Sequence, residues 1–145
     1  MIPKNLKLSR ENLDIKQKDV ADFFNLSKST ISGWENGIDI IPIKKLIMYA
    51  NKYSLSLDYI FGLKNYNELY SPIILDLNVL ASHLLKMRKK HLLTQVQLSK
   101  LMNTSQSTYS KYETGQRIIP TIFLCELIRI YSDISIDEIF GRDKI

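Results

Sequence analysis

The chain has 145 residues, of which 45% are hydrophobic and 24% are charged. This composition is typical of a globular protein and excludes disordered and fibrous classes. Lys and Arg number 20 against 15 Asp and Glu, and the resulting formal net charge of +5 favours an anionic partner without identifying it.

Several kinds of site are excluded by residue counts. One cysteine, Cys125, cannot form an internal disulfide, and with only two histidines it cannot complete a Cys/His zinc site. The five glycines are not spaced as a phosphate-binding loop, and no nucleophile–base or metal-ligand pattern is present. We therefore expect no metal, no cofactor and no enzymatic activity, and a buried, inert Cys125 thiol.

No part of the sequence indicates a membrane protein. The longest uncharged stretch near the middle, residues 77–85, is too short to span a bilayer. The first residues lack the apolar core of a signal peptide, so we expect a cytoplasmic protein.

The sequence repeats itself at an offset of 78 residues, which becomes 79 after one inserted residue. Matching pairs include Arg10/Arg88, Gln17/Gln95, Ser27/Ser105, Glu35/Glu113, Pro42/Pro120 and Asp58/Asp137. Two long copies are not a solenoid, which needs several short units. We expect two homologous domains over residues 1–66 and 67–145, with residues 67–76 as an apolar linker leading into the first helix of the second domain.

The first half of each copy predicts three short helices. In copy one, Leu6, Leu13 and Ile15 form the apolar set of a first helix, and residues 17–24 form a second. Asn25 can adopt the left-handed conformation that ends a helix, and Ser27 can cap a third helix over residues 28–36.

Two further helices complete each copy. Pro42 begins a fourth helix at its first turn, and Ser56 caps a fifth, in which Asp58 lies near the positive end of the helix dipole. The second copy repeats every step, with the corresponding core positions at Leu98, Leu101, Met102, Tyr109, Tyr112, Leu124, Leu127 and Ile128.

The sequences QKDVADFFNLSKSTISGWENG at 17–37 and QVQLSKLMNTSQSTYSKYETG at 95–115 both resemble the helix-turn-helix of the lambda-repressor-like Cro/CI (XRE) family. The resemblance covers nearly the whole chain. It implies an all-α fold of two tandem five-helix lambda-repressor-like helix-turn-helix domains, each inserting its third helix into a DNA major groove. Asn25 and Asn103 stand where the family often has glycine, and Asp19 and Asp22 place acid near the DNA-facing side of the first copy.

By the same resemblance, one set of residues should contact DNA. The expected base readers are Lys28, Ser29, Thr30, Ser32 and Gly33 in the first copy and Gln106, Ser107, Thr108, Ser110 and Lys111 in the second. Gln17 and Gln95 are each expected to contact phosphate or to brace the reader helix, and Asn36 and Arg117 to contact phosphate. A merely solvated polar face is the alternative interpretation of these helices.

The resemblance also implies two structural ion pairs. Arg10 with Glu35 and Arg88 with Glu113 share a spacing of 25 residues, and each pair should tie a first helix to the end of a third. Trp34 and Tyr112 are expected to anchor the core beside them rather than to stack on bases.

Together these features predict a sequence-specific DNA-binding transcriptional regulator, a repressor, whose partner is double-stranded DNA. The alternative is a protein-binding regulator or antitoxin in which one copy has become a protein-interaction or dimerisation module. A homodimer or a protein partner is then the expected assembly. The linker is too apolar for a floating tether, because it contains Tyr66, Leu69, Tyr70, Ile73, Ile74 and Leu77. We expect Ser71-Pro72 to cap an extended first helix of copy two, whose apolar face packs on copy one and fixes the relative orientation of the copies.

Overall fold

In a computed structural model, which describes residues 2–145, the chain is all-helical. No strand occurs in that range, apart from one isolated antiparallel bridge between Tyr70 and Lys144. The helices of the first copy are α1 (Leu6–Glu11), α2 (Gln17–Phe24), α3 (Lys28–Asn36), α4 (Ile43–Lys52) and α5 (Leu57–Ile60). Those of the second are α6 (Leu77–Lys90), α7 (Gln95–Leu101), α8 (Gln106–Glu113), α9 (Thr121–Ile130) and α10 (Ile136–Ile139).

Local side-chain chemistry sets the bounds of the helix-turn-helix units. Asn25 and Asn103 adopt the left-handed conformation, with φ of 54° and 56°, and so reverse the chain after α2 and after α7. The Ser27 and Ser105 hydroxyls then accept hydrogen bonds from the amides of Thr30 and Thr108, which caps α3 and α8. The expected fold class is confirmed in both copies.

The first helix of copy one is shorter than the apolar spacing suggested. It ends at Glu11, so Leu13 and Ile15 lie beyond it, and Leu13 is 45% exposed. In copy two, Leu101 is also 45% exposed rather than part of the core. Helical periodicity predicts a core position for both residues. Periodicity alone does not show where a helix ends or which of its residues are covered.

The linker is fixed in place, but not in the way the sequence suggested. Residues 71–76 lie outside any helix, α6 begins only at Leu77, and Asp76 caps it by accepting hydrogen bonds from the amides of Asn78 and Val79. The prediction that Ser71-Pro72 caps this helix is therefore wrong. Asn51 of α4 instead holds the linker, because its side chain both donates to and accepts from the backbone of Ile73, at 3.0 and 2.7 Å.

Only part of the apolar linker is buried. Ile73 is 6% exposed, whereas Tyr66, Leu69 and Ile74 are each more than half exposed. The apolar character of the linker is therefore not matched by burial at these three residues. Ile73 nevertheless joins a buried apolar cluster that runs continuously through both copies.

The two copies meet at their last helices through two aspartates. The Asp137 carboxylate accepts hydrogen bonds from the amides of Leu57 and Asp58, at 2.8 and 2.9 Å. The Asp58 carboxylate accepts in turn from the amides of Ile136 and Asp137, at 2.6 and 3.4 Å. Each aspartate thus caps the first turn of the other copy's helix, whereas the sequence had placed Asp58 only in the dipole of its own.

The reciprocal contact defines the symmetry of the molecule. Leu57 and Asp58 correspond to Ile136 and Asp137 at the offset of 79, so equivalent residues exchange equivalent bonds. Such self-complementary contacts are the mark of a two-fold axis. The two copies are therefore related by an approximate two-fold axis that passes between α5 and α10.

Further hydrogen bonds hold the interface. The hydroxyl of Thr121 donates to the Ile41 carbonyl at 2.7 Å. Arg142 is 7% exposed and donates to the carbonyls of Leu55 and Ser71, both at 2.9 Å, which ties the end of the chain to copy one and to the linker.

Candidate DNA-binding surface

Each copy presents the start of its third helix to solvent. Lys28 and Ser29 in α3, and Gln106 and Ser107 in α8, are exposed. Thr30, Ser32, Thr108, Ser110 and Lys111 are partly exposed, while Asn36 and Arg117, at or beyond the ends of these helices, are exposed. These predicted base readers are thus accessible, and they form one polar surface in each copy. Gly33, by contrast, is buried.

The inner faces of the same helices are anchored in the core. Trp34 and Tyr112 are each 5% exposed, so neither can stack on a base, and both occupy the expected core position. Trp34 packs edge-on against Phe24 of α2, with ring centroids 5.7 Å apart. This contact holds the helix pair of the first copy at a fixed angle.

Some of the hydroxyls are already engaged at the cap. Ser27 lies 3.0 Å from both the Ser29 and the Thr30 hydroxyls, and Ser105 makes the same contacts with Ser107 and Thr108, at 3.2 and 2.9 Å. A hydroxyl both donates and accepts, so these groups keep capacity for a base edge or a phosphate. The networks hold the side chains in defined positions before any ligand arrives.

A buried carboxylate braces the end of each third helix. Glu35 accepts from Nε of Arg10 at 2.7 Å and from Nη2 at 3.0 Å, and Glu113 accepts from Arg88 at 2.6 and 3.1 Å. The two arginines also donate to the carbonyls of Ile15 and Leu93. The two expected ion pairs are present, and the bonds to glutamate raise the pKa of both guanidinium groups.

Gln17 and Gln95 contact the same two carboxylates. Nε2 of Gln17 donates to Glu35 at 3.0 Å, and Nε2 of Gln95 donates to Glu113 at 2.7 Å. Of the two roles open from the sequence, the observed contact is that of a brace, which ties the start of α2 or α7 to the end of the third helix of its copy. Both glutamines are partly exposed.

The two surfaces differ in charge. Gly33 in α3 corresponds to Lys111 in α8, and Lys28 corresponds to Gln106. Asp19 accepts a hydrogen bond from the amide of Lys16 at 3.0 Å, so its carboxylate is held at the start of α2, where the second copy has the neutral Gln97. The first surface is thus more acidic at this edge.

Residues 2–145 contain no cluster of three or more potential metal ligands, and none of their helices is long and apolar enough to cross a membrane. Cys125 is 1% exposed, and burial raises the pKa of its thiol to about 11. The thiol therefore stays protonated at neutral pH, which makes it a poor nucleophile.

Two capped, exposed third helices, each braced from behind by an arginine–glutamate pair, define a DNA-binding fold of the helix-turn-helix class in two copies. A helix-turn-helix family model matches the chain twice, over residues 6–60 and 84–139. These matches cover most of the chain, so the protein belongs to the helix-turn-helix family of the Cro/CI (XRE) type, as a tandem repeat of DNA-binding domains. A search of curated proteins and a search of solved structures found no match.

Sequence reasoning missed the groups that join the copies. Asp58 was noted only for its own helix, and Asp137 and Arg142 were given no role. The repeat itself carried a signal, since an aspartate occurs at the same place in both copies beside apolar residues. Whether it caps its own helix or another depends on how the copies dock, which no local pattern encodes.

Proposed function

We propose that the protein is a sequence-specific transcriptional regulator that reads two unlike half-sites of one operator, with α3 on one and α8 on the other. The reciprocal capping by Asp58 and Asp137 is the observation that carries this proposal. An approximate two-fold axis relates the copies, and two-fold related helix-turn-helix units suit half-sites one helical turn apart. Most members of this class need two chains for that arrangement, whereas here one chain contains both units.

The half-sites should differ because the readers differ. Gln106 can make a bidentate pair with adenine, and Lys111 can donate to the acceptors of guanine. The first copy has Lys28 near the start of its helix and Gly33 where the second has Lys111. We therefore expect an asymmetric operator in which the α8 half-site has the extra base contact.

We assign a repressor role, because occupation of a promoter is enough to block transcription, whereas activation needs a further contact with the polymerase. We place this action in the bacterial cytoplasm, where the DNA lies. The domain boundaries that accompany this proposal are 1–66 and 67–145.

Selection of bound duplexes from a random DNA library tests the proposal directly. The expected result is one composite motif with two dissimilar halves, bound with an affinity that falls steeply as salt rises. Lys28→Ala should degrade one half of the motif and Gln106→Ala the other. Recovery of no motif would contradict sequence-specific binding, and a motif with a single half would contradict the paired arrangement.

The acidic edge at Asp19, together with the exposed Asp22, favours one second candidate. In this alternative the first copy binds a protein partner or a second chain, and only α8 binds DNA. Half-site footprinting separates the two, because protection of a single half-site by wild-type protein would support the alternative.

A further inference from the structure

A groove of about 560 Å³ lies between α6 and α10 of the second copy. Its walls include Val79, His83 and Met87 from α6, together with Ile139 and Gly141 at the end of α10. Lys86 and Lys90 stand at its rim. It lies on helices other than the reader helix α8, and the DNA-binding surface described above does not use it.

The first copy shows what normally fills this position. Tyr59, in α5, is only 3% exposed, and its hydroxyl accepts a hydrogen bond of 2.6 Å from the Asn12 side chain at the end of α1. The Asn5 side chain donates to the Tyr59 carbonyl at 2.9 Å. A phenol ring therefore closes the space between the first and last helices of copy one.

The second copy has no such ring. The residue equivalent to Tyr59 is Glu138, which is exposed, and Asn12 is replaced by Lys90. The residue equivalent to Asn5 is His83, whose Nδ1 lies 3.0 Å from the Ile139 carbonyl. The second copy thus lacks the side chain that fills this space in copy one. Its first helix is also longer, because α6 begins at Leu77 whereas α1 begins at Leu6, the counterpart of Leu84, so Val79 and His83 add a helical wall that α1 does not have. Both differences leave a groove beside α10.

The chemistry of the walls suits an aromatic ring. The Met87 thioether and the His83 imidazole both make favourable contacts with aromatic groups, and Val79 offers an apolar surface. Lys90 occupies the place of the amide that binds the Tyr59 hydroxyl, and its ammonium can donate to an oxygen there. The Lys90 ammonium also contacts Asp133 at 2.5 Å, but the side chain is 65% exposed and free to reorient.

We propose that this groove binds a small aromatic molecule, of the size of a phenol, whose polar end is an oxygen that accepts a hydrogen bond from Lys90. A phenol and an aryl carboxylate share this chemistry. The inference stands on the comparison of the two copies and does not depend on DNA binding.

Titration with p-cresol, which is the tyrosine side chain as a free molecule, and with benzoate tests the proposal. Amide chemical shifts of the wild-type protein should change saturably around residues 79–90 and 135–142. The probe with the greater affinity identifies the preferred oxygen, phenolic or carboxylate. Cyclohexanol, which has the hydroxyl without the aromatic ring, should bind more weakly.

The double variant Glu138→Tyr/Lys90→Asn transplants the ring and its partner from copy one into copy two. It should abolish binding of both probes and raise the melting temperature by about 2–4 °C, because the groove is filled. Lys90→Asn alone is the matched control, and it should still bind, because the groove stays open and asparagine also donates.

Three results would overturn the proposal: no saturable shifts in wild-type protein, shifts that map elsewhere, or equal binding by the double variant. If the double variant fails to fold, the map of shifts on wild-type protein still decides. None of these readouts involves DNA, so their failure is distinguishable from failure of the proposed regulatory function.

Discussion

Arg142 donates a hydrogen bond to Oδ1 of Asp137 at 2.9 Å, and both side chains are at most 2% exposed. Burial raises the pKa of the Asp137 carboxyl, and the guanidinium opposes that effect. At the position equivalent to Arg142 the first copy has Leu63, so Asp58 has no arginine partner and instead accepts from the Ser135 hydroxyl at 2.7 Å. The two aspartates that join the copies accept equivalent hydrogen bonds across the interface, but only Asp137 pairs with an arginine.

This difference predicts a rank order of stability. Asp137→Ala should lower the free energy of unfolding by roughly 3–5 kcal/mol, because it leaves the Arg142 guanidinium buried without its partner. Asp58→Ala removes hydrogen bonds without stranding a cation and should cost about 1–3 kcal/mol. Urea denaturation measures both, and Asp133→Ala, at an exposed ion pair, is the control with an expected loss below about 1 kcal/mol. Equal losses for the two interface variants would show that Arg142 does not distinguish them.

The brace behind the second reader helix makes a similar prediction. Arg88→Ala should lower the free energy of unfolding by roughly 3–5 kcal/mol, because Glu113 is nearly buried and would lose its bidentate partner. Thermal melting and urea denaturation test this change. Lys90→Ala removes an exposed cation from the same helix and should leave the melt almost unchanged. An unaltered melt for Arg88→Ala would contradict a structural role for the pair.

Tyr131 has a buried hydroxyl without a hydrogen-bond partner. Tyr131→Phe should therefore raise the free energy of unfolding by about 1 kcal/mol, because the desolvation cost of that hydroxyl disappears. The equivalent Tyr53 is partly exposed, and Tyr53→Phe serves as the control with a change within about 0.5 kcal/mol. Urea denaturation at neutral pH measures both, and a destabilised Tyr131→Phe would show that the hydroxyl has a partner after all.

The same tyrosine predicts a dependence on pH. Burial raises its pKa to about 12 from an ordinary value of 10. Because the pKa is higher in the folded state than in the unfolded state, ionisation of this tyrosine favours unfolding at high pH. The wild-type free energy of unfolding is therefore unaffected by this group below pH 10 and falls as the pH rises through about 12. The advantage of Tyr131→Phe over wild type should accordingly widen between pH 8 and about pH 11. A constant difference across that range would contradict the raised pKa.

Lys111 tests base reading by α8. Lys111→Ala should weaken binding to the matching half-site by about 1–3 kcal/mol while changing binding to random DNA less. Lys144→Ala, at a cation that already pairs with Glu68, removes the same charge and controls for net electrostatics. Competition binding against operator and random duplexes measures both, and an equal loss on the two duplexes would mean that Lys111 contacts only phosphate.

The helices could be predicted from sequence wherever their ends depend on neighbouring residues. The bounds of α2 and α3 follow from Asn25 and Ser27, whose turn and cap involve residues within three positions. The start of α6 did not follow, because the linker is held by Asn51, 22 residues from Ile73, and that contact exists only after folding.

The same distinction between local and long-range contacts applies to the candidate DNA-binding surface. The accessible readers and the two ion pairs follow from a spacing that repeats in both copies. Whether Gln17 and Gln95 contact phosphate or brace the third helix did not follow from the sequence. The answer depends on where Glu35 and Glu113 lie in space. The exposed Leu13 and Leu101 show that apolar spacing alone does not say which residues are covered.

The mutual capping of α5 and α10 has a consequence for dosage. A regulator assembled from separate chains comes apart on dilution, so its occupancy of DNA falls with a power of concentration greater than one. Here both helix-turn-helix copies belong to one chain and are docked against each other. The spacing between their third helices therefore does not depend on protein concentration. Under the proposed function, the protein's response to synthesis and decay should be graded rather than steep, and each half-site could change in sequence together with the helix that reads it.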